Sequence, residues 1–495
     1  MQVSHPEILD PISRGTFAPT LFTQGGLAAS APRLLQLAAS FALAAVVALF
    51  VPAYAAGAEE RLGNLDAERP PGEDGIFFTT KNYVETFYPL WFTHTQFKVA
   101  PHNQLIGPDK ISPLYQGVVA INDDTLYASS PIDVTSGPVT LTVPETDAGY
   151  SVLLLDPFGN VYESGVPSKA AGVATPTTVY SLVAPDYSGP VLTGTTTVRL
   201  PLAFMVLIFR ADRFSDDIDQ TAEAAAFRAA LEVNGSPTSI LPVAEFAFPV
   251  KTIADTLVRR DPITFLSQTQ QAIASASTPP LTQQEQKLSD DFDAMFGDGS
   301  SLSPEEEALF ADGAGAAHDA LLRNYLGNRD ANNWIHFTNI GDWGDNVLDR
   351  ASTTEFIQFG NGIETAAYYH TFLDGNGAPL EGSDPDAYYT LTFPPDAIPE
   401  ASRFWSLTAY TPNAIELIPN PIDKYLVASY TPGLEESPDG SISIYISQTQ
   451  PDGVPEANWL PVSDRAFNLM LRVYGVVPNS DVANNTYAPP PVEKW

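Results

Sequence analysis

The chain has 495 residues, a formal net charge of −35 and no cysteine. An acidic excess of that size excludes a nucleic-acid footprint and docking on anionic lipid, since both need clustered basic residues. The missing cysteines exclude disulfides, thiolate nucleophiles, iron–sulfur clusters and a lipidated-cysteine anchor, and the length asks for two or three domains.

In chain order, Arg14 and Arg33 precede an apolar run over residues 34–51, which ends in Ala53-Tyr54-Ala55. The pattern predicts a signal peptide over residues 1–55 with a long basic-flanked lead. An uncleaved membrane anchor is the other reading, because the run approaches spanning length. Either way the bulk of the chain is expected in the periplasm or outside the cell. Residues 56–74 read as a polar linker.

Residues 75–210 read as an N-terminal β region. It opens with Tyr83, Phe87 and Trp91, spaced to share one helical face and pack in a core. Strands follow. Val139-Thr140-Leu141-Thr142-Val143 alternates with period two, and Tyr150 to Leu155 is a more buried run. The short turn between them predicts an antiparallel hairpin that would hold Asp124 and Tyr127 against Tyr162 and Glu163. Thr178 to Val183 and the apolar run from Ala203 to Phe209 continue the sheet.

Residues 211–330 read as a helical insertion. One helix is capped by Thr282, and another opens with Ser303-Pro304-Glu305-Glu306, a capping box with proline at its first position. Gly313 and Gly315 weaken the middle of the latter. Residues 331–495 return to strand patterning. Phe404 to Tyr410 is one strand; Ile442, Ile444 and Ile446 mark another; Leu469, Leu471 and Val473 alternate with Met470, Arg472 and Tyr474 in a third. The predicted fold class is α+β, mainly β, with two antiparallel jelly-roll-like sandwich regions separated by the helical insertion.

Several motifs carry a resemblance. Asn122-x-Asp124-Thr125-Leu126-Tyr127, Gly137-Pro138-Val139 and Val143-Pro144 resemble the family catalogued as DUF1254. Phe404-Trp405-Ser406-Leu407-Thr408, Asn420-Pro421-Ile422-Asp423-Lys424-Tyr425, Asn458-Trp459-Leu460-Pro461 and Leu471-Arg472-Val473-Tyr474 resemble its companion, DUF1214. Asp423-Lys424 departs from the Asn-Arg expected at that point. The resemblance implies two β regions, a helical part between them and a homo-oligomer. It implies no particular reaction.

The polar chemistry concentrates in two places. Asp123, Asp124, Asp156 and Glu163 suit acid/base work or a hard cation such as calcium. Alternatively, Asn122 and Asp124 bond backbone amides at a turn. No metal-ligand spacing is found, and no cofactor is required by the sequence. Arg472 alternates away from the apolar face of its strand, which suits a carboxylate clamp or an ion pair with an acidic neighbour. Trp405, Tyr425 and Trp459 add aromatic faces, with core packing as the competing role. The functional expectation is an exported hydrolase or lyase acting on a small polar or carboxylated substrate between the β regions. In it Asp124 would be the general base, Tyr127 or Tyr410 the proton donor, and Asn122, Trp405, Tyr425, Trp459 and Arg472 the binding groups. The alternative is a non-catalytic secreted ligand-binding or assembly protein. No nucleic acid and no membrane beyond the signal segment are expected as partners.

Overall fold

The computed structural model describes residues 73–98, 100, 102–108, 110–216, 218–235 and 250–495. The predicted signal peptide and most of the linker lie outside these residues.

The first element among the described residues is α1 (Glu73–Phe97), whose middle is buried on every side. Tyr83, Phe87 and Trp91 are sealed in the core as their spacing predicts, and Tyr83 stacks on Phe292 with ring centres 3.8 Å apart. The strands then follow as β1 (Thr125–Asp133), β2 (Val139–Val143), β3 (Tyr150–Leu155), β4 (Val161–Tyr162), β5 (Thr178–Val183), β6 (Thr196–Arg199) and β7 (Phe204–Asp212). A small ribbon of β8 (Phe214–Ser215) and β9 (Ile218–Asp219) leads through α2 (Thr221–Ala230) to β10 (Glu232–Asn234).

These strands form two sheets, ordered β1-β7-β3-β4 and β10-β2-β5-β6. The hairpin expected between β2 and β3 is absent: β2 pairs with β5 and β10, and β3 pairs with β7 and β4. The turn between them crosses from one sheet to the other, because Leu141 and Leu154 both belong in the apolar cluster between the sheets. Most of the pairing is antiparallel, but β5 and β6 run parallel. The return of β10 to β2 extends this β region past residue 210, into the stretch read as helical insertion.

The helical layer contains α3 (Val250–Arg260), α4 (Pro262–Ile273), α5 (Gln283–Phe296), α6 (Pro304–Gly327) and α7 (Val347–Phe356). Both predicted capping boxes form, Thr282 with Glu285 and Ser303 with Glu306. Helix α6 runs unbroken through Gly313 and Gly315. Gly313 is where α1 crosses it: a Cβ there would sit 2.8 Å from the carbonyl oxygen of Phe77. Only glycine permits that approach.

The C-terminal strands are β11 (Ala366–Thr371), β12 (Tyr389–Phe393), β13 (Ala401–Tyr410), β14 (Leu426–Ala428), β15 (Ile442–Ser447), β16 (Trp459–Pro461), β17 (Asn468–Val476) and β18 (Val492–Lys494). They make two further sheets, β11-β17-β13-β14 and β16-β15-β12-β18, with β15 and β16 parallel. Leu407, Leu471, Leu391 and Ile444 meet between these sheets. The opposite face of β13 and β17 carries Phe404, Ser406, Thr408 and Tyr410 with Met470, Arg472 and Tyr474, and it is also buried. That face joins a third core, shared with Tyr127 and Ile208 of the N-terminal sheet and with α1, α6 and α7. The described residues all fall in one compact unit. Among the described residues no helix is long and apolar enough to cross a membrane.

Candidate functional site

Where the outer face of β13 and β17 meets the loop before β1, the buried residues are polar. Period-two alternation explains the C-terminal half: Leu469, Leu471 and Val473 fill one core, so Met470, Arg472 and Tyr474 must face the other way. The N-terminal half comes from the strand entry at residues 120–124. Ala120 has φ 53°, a left-handed conformation that a non-glycine residue adopts at a cost in strain. This aims its carbonyl oxygen at the Arg472 guanidinium and at the Tyr410 hydroxyl, the latter at 3.2 Å. Tyr410 also donates to the Ile121 oxygen at 2.7 Å, and Arg472 lies over the Tyr410 ring at 5.5 Å.

Asp124 is fully buried. Its two carboxylate oxygens accept from the Tyr430 hydroxyl at 2.6 Å and from Ser406 Oγ at 2.7 Å. Burial pushes its carboxyl above the ordinary range, against the pull of those two donors and of Arg472. Asn122 Nδ2 donates to the Tyr474 hydroxyl, and Thr125 Oγ1 donates to Asn122 Oδ1 at 3.3 Å. Next to them Arg210 covers the Tyr127 ring at 5.3 Å and donates to the Phe359 oxygen at 2.9 Å and to Asn361 Oδ1 at 3.1 Å. Asn361 in turn donates to the Tyr368 hydroxyl at 2.7 Å.

Six of the sequence-selected residues therefore lie in this junction or on its strands: Asn122, Asp124, Tyr127, Tyr410, Arg472 and, on the reverse face of β13, Trp405. They come together, but closed over. Asp124 and Tyr410 have no exposed surface, and Arg472 keeps 2 %. Arg472 is neither of the things its sequence suggested. Its donors meet a backbone carbonyl and, at 3.5 Å, Thr408 Oγ1. Asn122 and Asp124 bond side chains across the junction, not amides at a turn. Tyr425 is nearby in the shared core and its hydroxyl donates to Asp423 Oδ1 at 2.9 Å. Trp459 is elsewhere, on the sheet turned away from the junction, with its indole N–H on Ser447.

An opening lies beside the sealed cluster. A groove of about 660 Å³ runs along the start of β13, with Phe404 and Tyr430 as its floor and Asp216, Glu400 and Ser429 at its rim. Tyr430 belongs to both places: its ring lines the groove while its hydroxyl holds Asp124. Arg403 also lines the groove, but both arms of its guanidinium bond the Asp212 carboxylate. Reading the sequence missed Tyr430, Ser406 and Arg210. Ser406 sat inside a quoted motif, and Arg210 ends the apolar run of β7, where a charge on a buried strand signals a paired interior cation.

Asp156 also departs from the cation role. Its carboxylate accepts from the amides of Phe158 and Asn160 at 2.9 Å and 3.0 Å and from the Asn160 side chain at 2.8 Å, closing a turn. Among the described residues, the group of histidine and carboxylate side chains close enough to hold a metal ion is Asp255, His318 and Glu355, in the helical layer. None of the three stood out in the sequence, because they come from three separate helices with no fixed spacing.

Two family models match the chain: protein of unknown function DUF1254 over residues 102–234 and protein of unknown function DUF1214 over residues 365–478. These are the two regions the sequence resemblance implied, in the same order. No curated protein matches. The crystal structure of the VPA0106 protein from Vibrio parahaemolyticus is similar in fold, with a TM-score of 0.55 and 18% identity over 85% of this chain and all of that one. An uncharacterized protein from Burkholderia cenocepacia aligns at a TM-score of 0.41 and 15% identity, over 89% of this chain and 93% of that one.

Proposed function

We propose that this chain, with its DUF1254 and DUF1214 regions in series, is an exported protein that binds a small polar molecule in the groove beside β13. The two β regions, read as sandwiches of jelly-roll style, act as rigid walls. The observation that carries the reading is the groove itself. Its volume falls within the usual range for small-ligand sites, and its aromatic floor is immobilised by the buried network behind it. The rim carboxylates of Asp216 and Glu400 are not offset by Arg403, which is committed to Asp212. The groove therefore favours a ligand with amino or hydroxyl groups over the carboxylated one expected from the sequence.

A hydrolase or lyase is the second reading, and one observation favours it. Tyr430 on the groove floor touches Asp124, a carboxyl whose proton affinity is raised by burial. Against it, the Tyr430 hydrogen points at Asp124 and away from the groove. Burial, with the Asp124 charge beside it, also pushes that phenol well above its ordinary value. A tyrosine so held is a poor proton donor.

The test is a thermal-shift screen of the purified mature chain against small amines, polyols and carboxylates, repeated on Ser429→Trp. Ser429 is exposed at the rim, so the indole fills the groove, and the bond it gives up is the one its hydroxyl accepts from the Trp405 amide at 3.2 Å. A saturable rise in melting temperature with an amine or polyol, lost in Ser429→Trp, is expected. A shift that survives the substitution, or no shift from any compound, would sink the proposal. Turnover of the bound compound that is lost in Tyr430→Phe would replace it with the enzyme.

A further inference from the structure

Apart from the β junction, the helical layer holds a second buried cluster of ionisable groups. Four helices contribute: Tyr88 from α1, Lys251 and Asp255 from α3, His318 from α6 and Glu355 from α7. Glu355 has no exposed side-chain surface and His318 keeps 1%. Tyr88 donates its hydroxyl to Glu355 Oε2, which leaves Oε1 turned toward the centre of the cluster. There Lys251 Nζ meets Glu355 Oε1 and lies 3.4 Å from Asp255 Oδ2. His318 Nε2 lies 3.4 Å from Asp255 Oδ1 and 3.7 Å from Glu355 Oε1. His318 Nε2 therefore meets the two carboxylates only at ion-pair distance, and its Nδ1 has no hydrogen-bond partner. A buried ring nitrogen without a partner costs on the order of 1–3 kcal/mol, so its persistence needs a reason.

We propose that Asp255, His318 and Glu355 form a binding site for a divalent first-row transition ion, with zinc as the type case. Three observations carry this. The donor atoms all lie within 4.8 Å of one another. A tetrahedral ion about 2.1 Å from each donor would separate neighbouring donors by about 3.4 Å, close to the two distances from His318 Nε2. Tyr88 supplies the outer hydrogen bond that fixes a ligating carboxylate, the arrangement that metal sites use to orient their ligands.

The donor set also selects the ion. One imidazole with two carboxylates suits zinc, iron or manganese, whereas calcium takes oxygen ligands alone. Lys251 is the cation that stands at this site: its ammonium bridges the two carboxylates that an ion would take. Ion entry exchanges one positive charge for two and displaces the lysine toward the side where Asp255 is 29% exposed. Three protein donors leave a fourth position open, the pattern of sites where a metal-bound water or a substrate sits.

The site is tested on the full mature chain after treatment with a chelator. Cobalt(II) is titrated in and followed by its visible ligand-field bands; zinc is titrated by calorimetry, and the melting temperature is read with and without zinc. Expected are one ion per chain, tetrahedral cobalt bands and a melting temperature raised by zinc. Asp255→Asn, at the accessible side, should weaken binding at least tenfold with the fold intact. Tyr88→Phe should weaken it about 10- to 100-fold as loss of an outer-shell partner does. Lys251→Met should tighten it, because no ammonium then competes. No ion bound by the wild-type chain would overturn the site. So would binding that is unchanged in both Asp255→Asn and His318→Gln. If His318→Gln does not fold, Asp255→Asn and Lys251→Met decide between them.

Discussion

Asp123 and Asp124 are adjacent and stand in different surroundings. Asp123 is ion-paired with Arg213 at the edge of the junction, whereas Asp124 is sealed within it. Burial pushes the Asp123 carboxyl from 3.8 up to about 6, against the opposing pull of Arg213. A carboxyl raised in the folded state favours folding while it is protonated, and that contribution is lost as pH rises through the folded value. The stability carried by Asp123 should therefore be full below about 3.8 and gone above about 6. Urea unfolding of the wild type and of Asp123→Asn over that range checks it. The variant, neutral throughout, should gain on the wild type by on the order of 1–3 kcal/mol as pH rises, and a constant difference would refute the assignment. The sequence suggested Asp124 for catalysis because it stands with Asp123, Asp156 and Glu163 among carboxylates that suit acid/base work. It could not tell that Ser406 and Tyr430, 282 and 306 positions further on, would use both oxygens.

At the scale of elements, the helices obey local rules and the strands do not. Thr282 and Ser303 cap their helices as their neighbours predict, since a cap needs only a residue three positions on. The two glycines of α6 look alike in the sequence and differ in the fold. A Cβ at Gly313 would meet the Phe77 carbonyl and Thr80 at 2.8 Å, while one at Gly315 would meet nothing within 4 Å. Gly313→Val should lower the melting temperature sharply, because backbone of α1 cannot retreat without separating the two helices. Gly315→Ala should raise stability by up to about 1 kcal/mol, the ordinary helical gain over glycine. Equal effects in thermal melts of the two variants would mean that α1 does not cross α6 at Gly313. The hairpin expected of β2 and β3 failed for a similar reason. Alternation tells which face of a strand is buried, but not which strand lies beside it.

For the whole molecule, the third core decides how the parts behave together. Tyr127 and Ile208 from one β region, Phe404 and Tyr474 from the other, and Phe87, Phe310 and Phe356 from the helices share one apolar cluster. Arg472 ties that cluster to the strained Ala120 carbonyl across the junction. We expect residues 70–495 to unfold in one step, with fluorescence and far-ultraviolet circular dichroism giving coincident transitions. Arg472→Met leaves the Ala120 carbonyl without its charged donor and should cost on the order of 1–3 kcal/mol, lowering both signals together. A second transition in the wild type, or a loss confined to one signal in Arg472→Met, would show that the β regions are independent.

What the residues determined unaided is local or compositional: the helix caps, the alternating strands, the order of the two matched regions and the absence of thiol chemistry. Arg472 facing away from Leu471 was likewise written in a period of two. Tertiary structure alone decided that β10 returns to β2, that Asp124 is roofed by Tyr430, and that His318 meets Asp255 and Glu355. The physical reason is that periodicity and capping are set by nearest neighbours along the chain. Partners across a core are chosen by burial that only the assembled chain can supply.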